Sequence, residues 1–305
     1  FITAAADAAS NSSVWQYFAN GVSLGSLYAL IAIGYTMVYG ILRLINFAHG
    51  DIFMMAAYFA FFGIAVFHLP WPFAFIGVIA ATSLLGIILE RTAYRPLRDA
   101  PKNSVLISAI GASFLLENLA TYLFSGKPKA FPEITFFADT VVIGGVSVQV
   151  ITFFIPVVTL IFLAVLLYIV NRTKLGMAMR AVSRDYETAM VMGVDINRVI
   201  TYTFAIGSAL AAVGAIMWGI RYPQVQPMMG VMPGLKCFIA AVVGGIGNIP
   251  GAVLGGFILG FGEIMLIALL PSLTGYRDAF AFILLILILL FRPTGILGEK
   301  IAEKV

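Results

Sequence analysis

Residues 14–42 read VWQYFANGVSLGSLYALIAIGYTMVYGIL, without one charged side chain. A helix needs about 20 consecutive apolar residues to cross the hydrocarbon core of a bilayer, and this stretch exceeds that length. In lipid a backbone must satisfy its own N–H and C=O groups, so the stretch reads as a transmembrane helix. The same reading extends along the chain. Residues 52–69, 71–89, 104–124, 150–170 and 199–220 are further apolar runs, and a last one covers 279–291. Residues 237–262 are apolar too, but GGIGNIPG at 244–251 interrupts them. The expected fold is an all-α polytopic membrane protein of about 8–10 transmembrane helices, in which the interrupted region supplies a short or broken pair.

Composition agrees. Of 305 residues 61% are hydrophobic and only 10% are charged, against about 25% charged in a soluble domain. That excludes a disordered chain, a collagen and a disulfide scaffold. The single cysteine, Cys237, can form no intrachain disulfide and reads as a small packed side chain. His49 and His68 are the only histidines, and no Cys/His cluster has metal-ligand spacing. The net charge of +4 is too small to argue for nucleic acid.

Lysine and arginine placement sets the orientation. Arg43, Arg91, Arg95, Arg98, Lys102, Arg172, Lys174, Arg180, Arg184, Arg198, Arg292, Lys300 and Lys304 share one side if the N-terminus is outside and the C-terminus cytoplasmic. Lys127, Lys129, Arg221 and Arg277 lie on the other, with Lys236 near it. This parity requires the interrupted region 237–262 to cross twice. Residues 1–13 then form an extracytoplasmic segment; they are polar and alanine-rich and do not read as a signal peptide. Residues 14–292 form a single transmembrane domain and 293–305 a cytoplasmic tail. In the extracytoplasmic loop 125–149, the run from Val141 to Val148 reads as a short β-hairpin.

Small residues recur at helical spacing: Gly21 and Gly25, Gly207 and Ala211, and Gly251, Gly255, Gly256 and Gly260. Such faces let backbones approach closely, within the chain or between subunits. In the cytoplasmic loop 171–198, Met179, Val182, Tyr186 and Met190 are spaced to share one face of an amphipathic helix that Gly193 ends. Such a helix lies in the membrane interface or docks into a groove on a cytoplasmic partner.

Polar breaks mark the candidate translocation path. Asn46, Phe47, Ala48, His49, Gly50 and Asp51 interrupt two apolar runs, and Gly245, Gly247, Asn248 and Pro250 interrupt a third. Non-helical backbone at membrane depth survives only when buried in protein or facing a water-filled cavity. Broken helices near mid-membrane recur in transporters. Glu117 and Glu263 lie within apolar runs, and neither should face lipid. Each is a structural hydrogen-bonding group or a cavity residue. No basic residue is placed mid-span in this reading, which disfavours proton coupling.

Several motifs carry a family resemblance. Residues 20–30 (NGVSLGSLYAL), 34–41 (GYTMVYGI), 45–50 (INFAHG), 241–252 (AVVGGIGNIPGA) and 292–298 (RPTGILG) resemble, in order, the permeases of branched-chain amino acid ABC transporters. Residues 187–193 (ETAMVMG) resemble the start of the EAA loop of ABC-importer permeases, with Glu187, Ala189 and Gly193 matching and the later Ile-x-Leu-Pro portion absent. The resemblance implies a type II ABC-importer-like permease in the bacterial inner membrane. It implies partners as well: a second homologous permease, two ABC ATPase subunits carrying Mg-ATP, and an extracytoplasmic amino-acid-binding protein. It also implies an ATPase-coupling loop with Arg180, Arg184, Glu187, Ala189 and Gly193. The cargo would be an aliphatic amino acid, with the binding protein setting most of the specificity and the permease cavity weakly binding and largely apolar. Related permeases carry urea and short amides. The chain has no GxxxxGK followed by Ser or Thr, so it binds no ATP of its own and is not an enzyme. A stand-alone secondary transporter is the competing reading.

Overall fold

The computed structural model describes residues 2–98, 100–143 and 146–298. Lys300 and Lys304, and the Gly144-Gly145 turn of the expected hairpin, lie outside the described residues. Helix α1 spans Ile2–Leu42, so residues 2–13 continue the first helix. The next helices are α2 (His49–Phe61), α3 (Trp71–Leu89) and α4 (Lys102–Phe124). A first extended segment β1 (Lys129–Ala130), a helical turn α5 (Thr135–Ala138) and strands β2 (Thr140–Ile143) and β3 (Val146–Gln149) follow. Strands β2 and β3 pair antiparallel, Val141 opposite Val148, as the alternation predicts. Next come α6 (Val150–Arg172), α7 (Lys174–Arg184), α8 (Tyr186–Val191), α9 (Ile196–Arg221) and β4 (Gln224–Val225). The chain closes with α10 (Val231–Gly244), α11 (Ile249–Leu269) and α12 (Arg277–Phe291). Among the described residues eight helical segments are long and apolar enough to cross a membrane, and α10 is a shorter apolar helix.

Helix α1 is the axis of the bundle, with α6, α9, α10 and α11 packed around it. The small residues form seams within the chain. Gly256 of α11 meets the backbone of α1: a Cβ there would sit 2.5 Å from the amide nitrogen of Ala29. Gly260 meets Gly25, and Gly21 lies under the ring of Phe261. In a bilayer, close approach of this kind replaces the hydrophobic force that drives association in water. Helices α1 and α11 therefore run antiparallel in contact along their length.

Three expectations change. The run 71–89 does not end at Glu90: a wide turn (Glu90–Tyr94) prolongs the helical path to Leu97. Glu90 is fully buried, 2.9 Å from Arg98 and accepting a 2.9 Å bond from Thr201. Second, the interrupted region begins at Val231 instead of residue 237, because Lys236 is drawn into the bundle by buried partners. Third, the loop 171–198 holds two helices. The backbone at Asp185 is extended (φ −150°, ψ 107°), and its carboxylate caps α8 at Thr188 N. Met179 and Val182 are buried whereas Tyr186 and Met190 are exposed, so the four do not share one face.

Candidate functional site

The two sequence breaks sit at different depths. Gly247 lies against Gly40, two residues from the end of α1, so the break between α10 and α11 lies at the bundle's end and not near mid-membrane. It is built as a closed joint. Gly245 adopts φ +111°, which a side chain disfavours. Asn248 caps α11 through Gly251 N at 2.9 Å, and Pro250 occupies the first turn. The terminal carbonyls of α10 lack intrahelical donors. Ile296 N and Leu297 N satisfy those of Val243 and Gly244 at 2.9 Å each, and Asn248 bonds Leu297 O at 2.8 Å.

The break at 43–48 does reach mid-bundle. The His49 ring nitrogen Nε2 lies 3.3 Å from Ile31 O, halfway along the apolar part of α1, and its ring packs edge-on to Tyr35. Helix α2 therefore starts in the middle and runs back toward the N-terminal end of α1, where Phe53 meets Trp218 near the end of α9. Helix α10 also starts in the middle but runs the other way. Its Cys237 lies beside Tyr28 and its Phe238 beside Tyr35. The two N-termini meet where Gly50 and Gly230 touch, so closely that a Cβ on either would strike the other's carbonyl.

Between them lies a cavity of about 190 Å³. A water molecule's share of liquid volume is about 30 Å³, so the space exceeds a single-water site. Asn46, His49, Gly50 and Asp51 line it from α2 and the segment before it, and Ser113 and Glu117 from α4. Gly230, Val231, Gly234, Leu235 and Phe238 line it from the start of α10, and Tyr35 from α1. Ser113 donates to Asp51 Oδ2 at 2.5 Å. The Tyr94 hydroxyl donates to Asn46 Oδ1 at 2.8 Å, and the Asn46 amide nitrogen, fully buried, has no partner. The cavity opens beside Phe47 and Val231, both about half-exposed.

Of the residues singled out in the sequence, this cavity gathers Asn46, His49, Gly50 and Glu117. Gly245, Gly247, Asn248 and Pro250 belong to the terminal joint, and Glu263 lies elsewhere. Glu263 Oε1 is 2.8 Å from Lys236 Nζ, which is also 2.8 Å from Asp278 Oδ1. Tyr28 donates to Glu263 Oε2 at 3.0 Å. A basic residue is thus buried in the bundle, contrary to the sequence reading; a lysine inside the apolar run of α10 was the signal available. Asp51, part of the polar break read from the sequence, lines the cavity too, whereas Ser113 and Tyr35 were missed. Ser113 stands four residues before Glu117 on α4, the spacing that puts both on one helix face.

The loop 171–198 is a separate, compact feature. The Arg180 guanidinium donates to Val170 O, and Arg43 to Ser183 O at 3.1 Å, which ties the loop to the ends of α6 and α1. Ala189 is buried, and Gly193 at φ +84° turns the chain so that Val194 N bonds Ala189 O at 3.0 Å. Met190, Val191 and Met192 are exposed together at the tip, with Arg184 and Glu187 beside them.

Residues 17–289 match the family described as the permease component of branched-chain amino acid transport systems. The chain belongs to this family. It is 44% identical over 303 residues to the high-affinity branched-chain amino acid transport system permease protein BraD of Pseudomonas aeruginosa, covering 95% of this chain and 97% of the relative. It is 42% identical, with the same coverage, to the corresponding permease protein LivH of Escherichia coli. The fold is similar to that of PsaBC from Streptococcus pneumoniae, solved in complex with a Fab, with a TM-score of 0.53 at 16% identity over 95% of this chain and 96% of that one. The permease is a multi-pass membrane protein with a type II importer-like fold, and a transport subunit instead of an enzyme.

Proposed function

We propose that this permease forms, with a second homologous permease, the translocation pathway of an ATP-driven importer for branched-chain amino acids delivered by an extracytoplasmic binding protein. The observation that carries the reading is the mid-bundle cavity between the opposed starts of α2 and α10. Transporters place substrate sites at such discontinuous helices, where half-helix ends supply polar groups inside an apolar bundle. Asn46, His49, Gly50 and Glu117 are the pathway residues in this reading.

The chain lies in the inner membrane with the N-terminus outside and the C-terminus cytoplasmic, as its lysines and arginines favour. Residues 14–292 act as one transmembrane domain. The loop 171–198 then faces two ABC ATPase subunits that hold Mg-ATP. Its exposed Met190, Val191 and Met192 insert into the ATPase, flanked by Arg184 and Glu187, while Arg180, Ala189 and Gly193 hold the loop's shape. Force on the loop reaches α1 through the Arg43 bond to Ser183 O, and α1 carries Tyr35 into the cavity wall. The joint at Gly245, Gly247, Asn248 and Pro250 lies at the same end and serves as the hinge between α10 and α11.

The test is reconstitution. The chain, co-expressed with the permease and ATPase subunits of its transport system, is expected to co-purify with them. In proteoliposomes supplied with the binding protein it should take up leucine only with ATP inside. Uptake by this chain alone, without ATP, would sink the proposal in favour of a secondary transporter.

A further inference from the structure

The cavity wall is largely apolar, and the few polar groups set into it are of two opposite kinds. Asp51 and Glu117 bring carboxylates to it, and among the described residues no lysine or arginine lines it. Carboxylates removed from water without a cationic partner are costly, and in a membrane bundle such groups mark ligand pathways. The second kind is donors. Asn46 is 3% exposed, and its amide nitrogen has no hydrogen-bond partner although its oxygen is held by Tyr94. The Tyr35 hydroxyl is buried there too, beside the Asn46 backbone. The starts of α2 and α10, the positive ends of both helix dipoles, converge on the same space. The remaining wall is aliphatic and aromatic: Ile45, Leu235 and Phe238.

We propose that this cavity is an amino-acid site within the permease chain itself. It binds the zwitterion with its ammonium group on Asp51 and Glu117, its carboxylate on Asn46 and the two helix starts, and its side chain on Ile45, Leu235 and Phe238. The inference rests on the transport function proposed above and deepens it: the permease selects for the α-amino acid head group after the binding protein has let go. A divalent cation is disfavoured as the occupant, because donors and positive helix ends face it. Among the described residues no group of three His, Cys, Asp or Glu side chains is arranged to hold a metal.

The experiment measures radiolabelled leucine binding to the complete purified transporter in lipid nanodiscs, without the binding protein. Isoamylamine, which lacks the carboxylate, and 4-methylpentanoate, which lacks the ammonium, serve as competitors. Wild type is expected to bind leucine more tightly than either analogue. The double variant Asp51→Asn/Glu117→Gln should weaken leucine about tenfold or more, and isoamylamine with it. Asn46→Leu should weaken leucine and leave competition by isoamylamine unchanged, a split that a general packing defect does not produce. If the double variant does not assemble, Asn46→Leu decides alone. Equal leucine affinity in wild type and variants, parallel loss of both ligands in Asn46→Leu, or no leucine binding to wild type at millimolar concentration overturns the site. A wild-type complex that shows no ATP-driven leucine uptake would instead overturn the transport function; normal uptake with unaltered variants overturns the site only.

Discussion

Lys236 of α10 and Glu263 of α11 face each other inside the bundle, Nζ 2.8 Å from Oε1, although 244–251 separates their helices. Tyr28 of α1 and Asp278 of α12 complete the cluster, so one lysine joins three other helices. Buried ion pairs add little net stability over apolar packing, but removing one partner strands the other. Glu263→Gln leaves Lys236 with the half-exposed Asp278 as its one carboxylate partner and should destabilise the permease by about 3 kcal/mol. Lys236→Met/Glu263→Gln should recover a large part of that loss. Thermal unfolding in detergent reads both, and a double variant no more stable than the single would contradict the pairing.

Gly256 permits the contact with Ala29 that sets the spacing of α1 and α11. Gly256→Val would push backbone against backbone, where no flexible side chain can yield. Overpacking of this kind costs typically about 1–3 kcal/mol and here also spreads a membrane interface. The expected result is a lower yield of folded protein by size-exclusion chromatography. Gly77→Val, at a position where a Cβ meets nothing within 4 Å, is the matched control and should behave as wild type.

Tyr94 holds Asn46 Oδ1 at 2.8 Å and packs on Phe204 with ring centroids 5.1 Å apart. Tyr94→Phe keeps the ring and removes the bond, leaving the amide oxygen buried without a donor. The cost should be about 1–3 kcal/mol in unfolding. Leucine uptake by the assembled transporter should fall more than stability alone explains, because Asn46 is freed to turn. Unchanged uptake would separate Tyr94 from the pathway.

Gly193 sits at φ +84° with open space around it, so a side chain is opposed by backbone strain and not by crowding. Gly193→Val should leave the bundle intact and deform the loop tip at Met190–Met192. In the complete transporter, ATP hydrolysis should continue while uptake drops, and Glu187→Lys should act in the same direction. Normal uptake in both variants would refute the coupling role.

Much of the fold was legible because lipid imposes one rule on the backbone. Uncharged stretches such as 14–42 and 150–170 must be helices, and each appears as one. The hairpin was legible from alternation at 141–148. The site was only half legible. Asn46, His49, Gly50 and Glu117 stood out as polar groups in apolar surroundings, and they share the cavity. Glu263 stood out by the same criterion and lies in an ion-pair cluster instead. Local sequence registers that a polar group must be buried, and not which neighbour satisfies it. Asp185 broke the helix expected in the loop 171–198 for a comparable reason: its carboxylate caps the next helix, and a cap competes with the i, i+4 pattern used to read the face.

By itself, then, the sequence determined the class of fold and which apolar runs must be helical, because an unsatisfied backbone is intolerable in hydrocarbon. The tertiary structure alone decided depth. The break at 244–251 became a joint at the bundle's end and the break at 43–48 a mid-bundle opening, since each level depends on glycine contacts more than a hundred residues apart, such as Gly50 with Gly230 and Gly40 with Gly247. How closely two helices approach is settled by the small residues on both partners at once, and no single stretch of chain contains both.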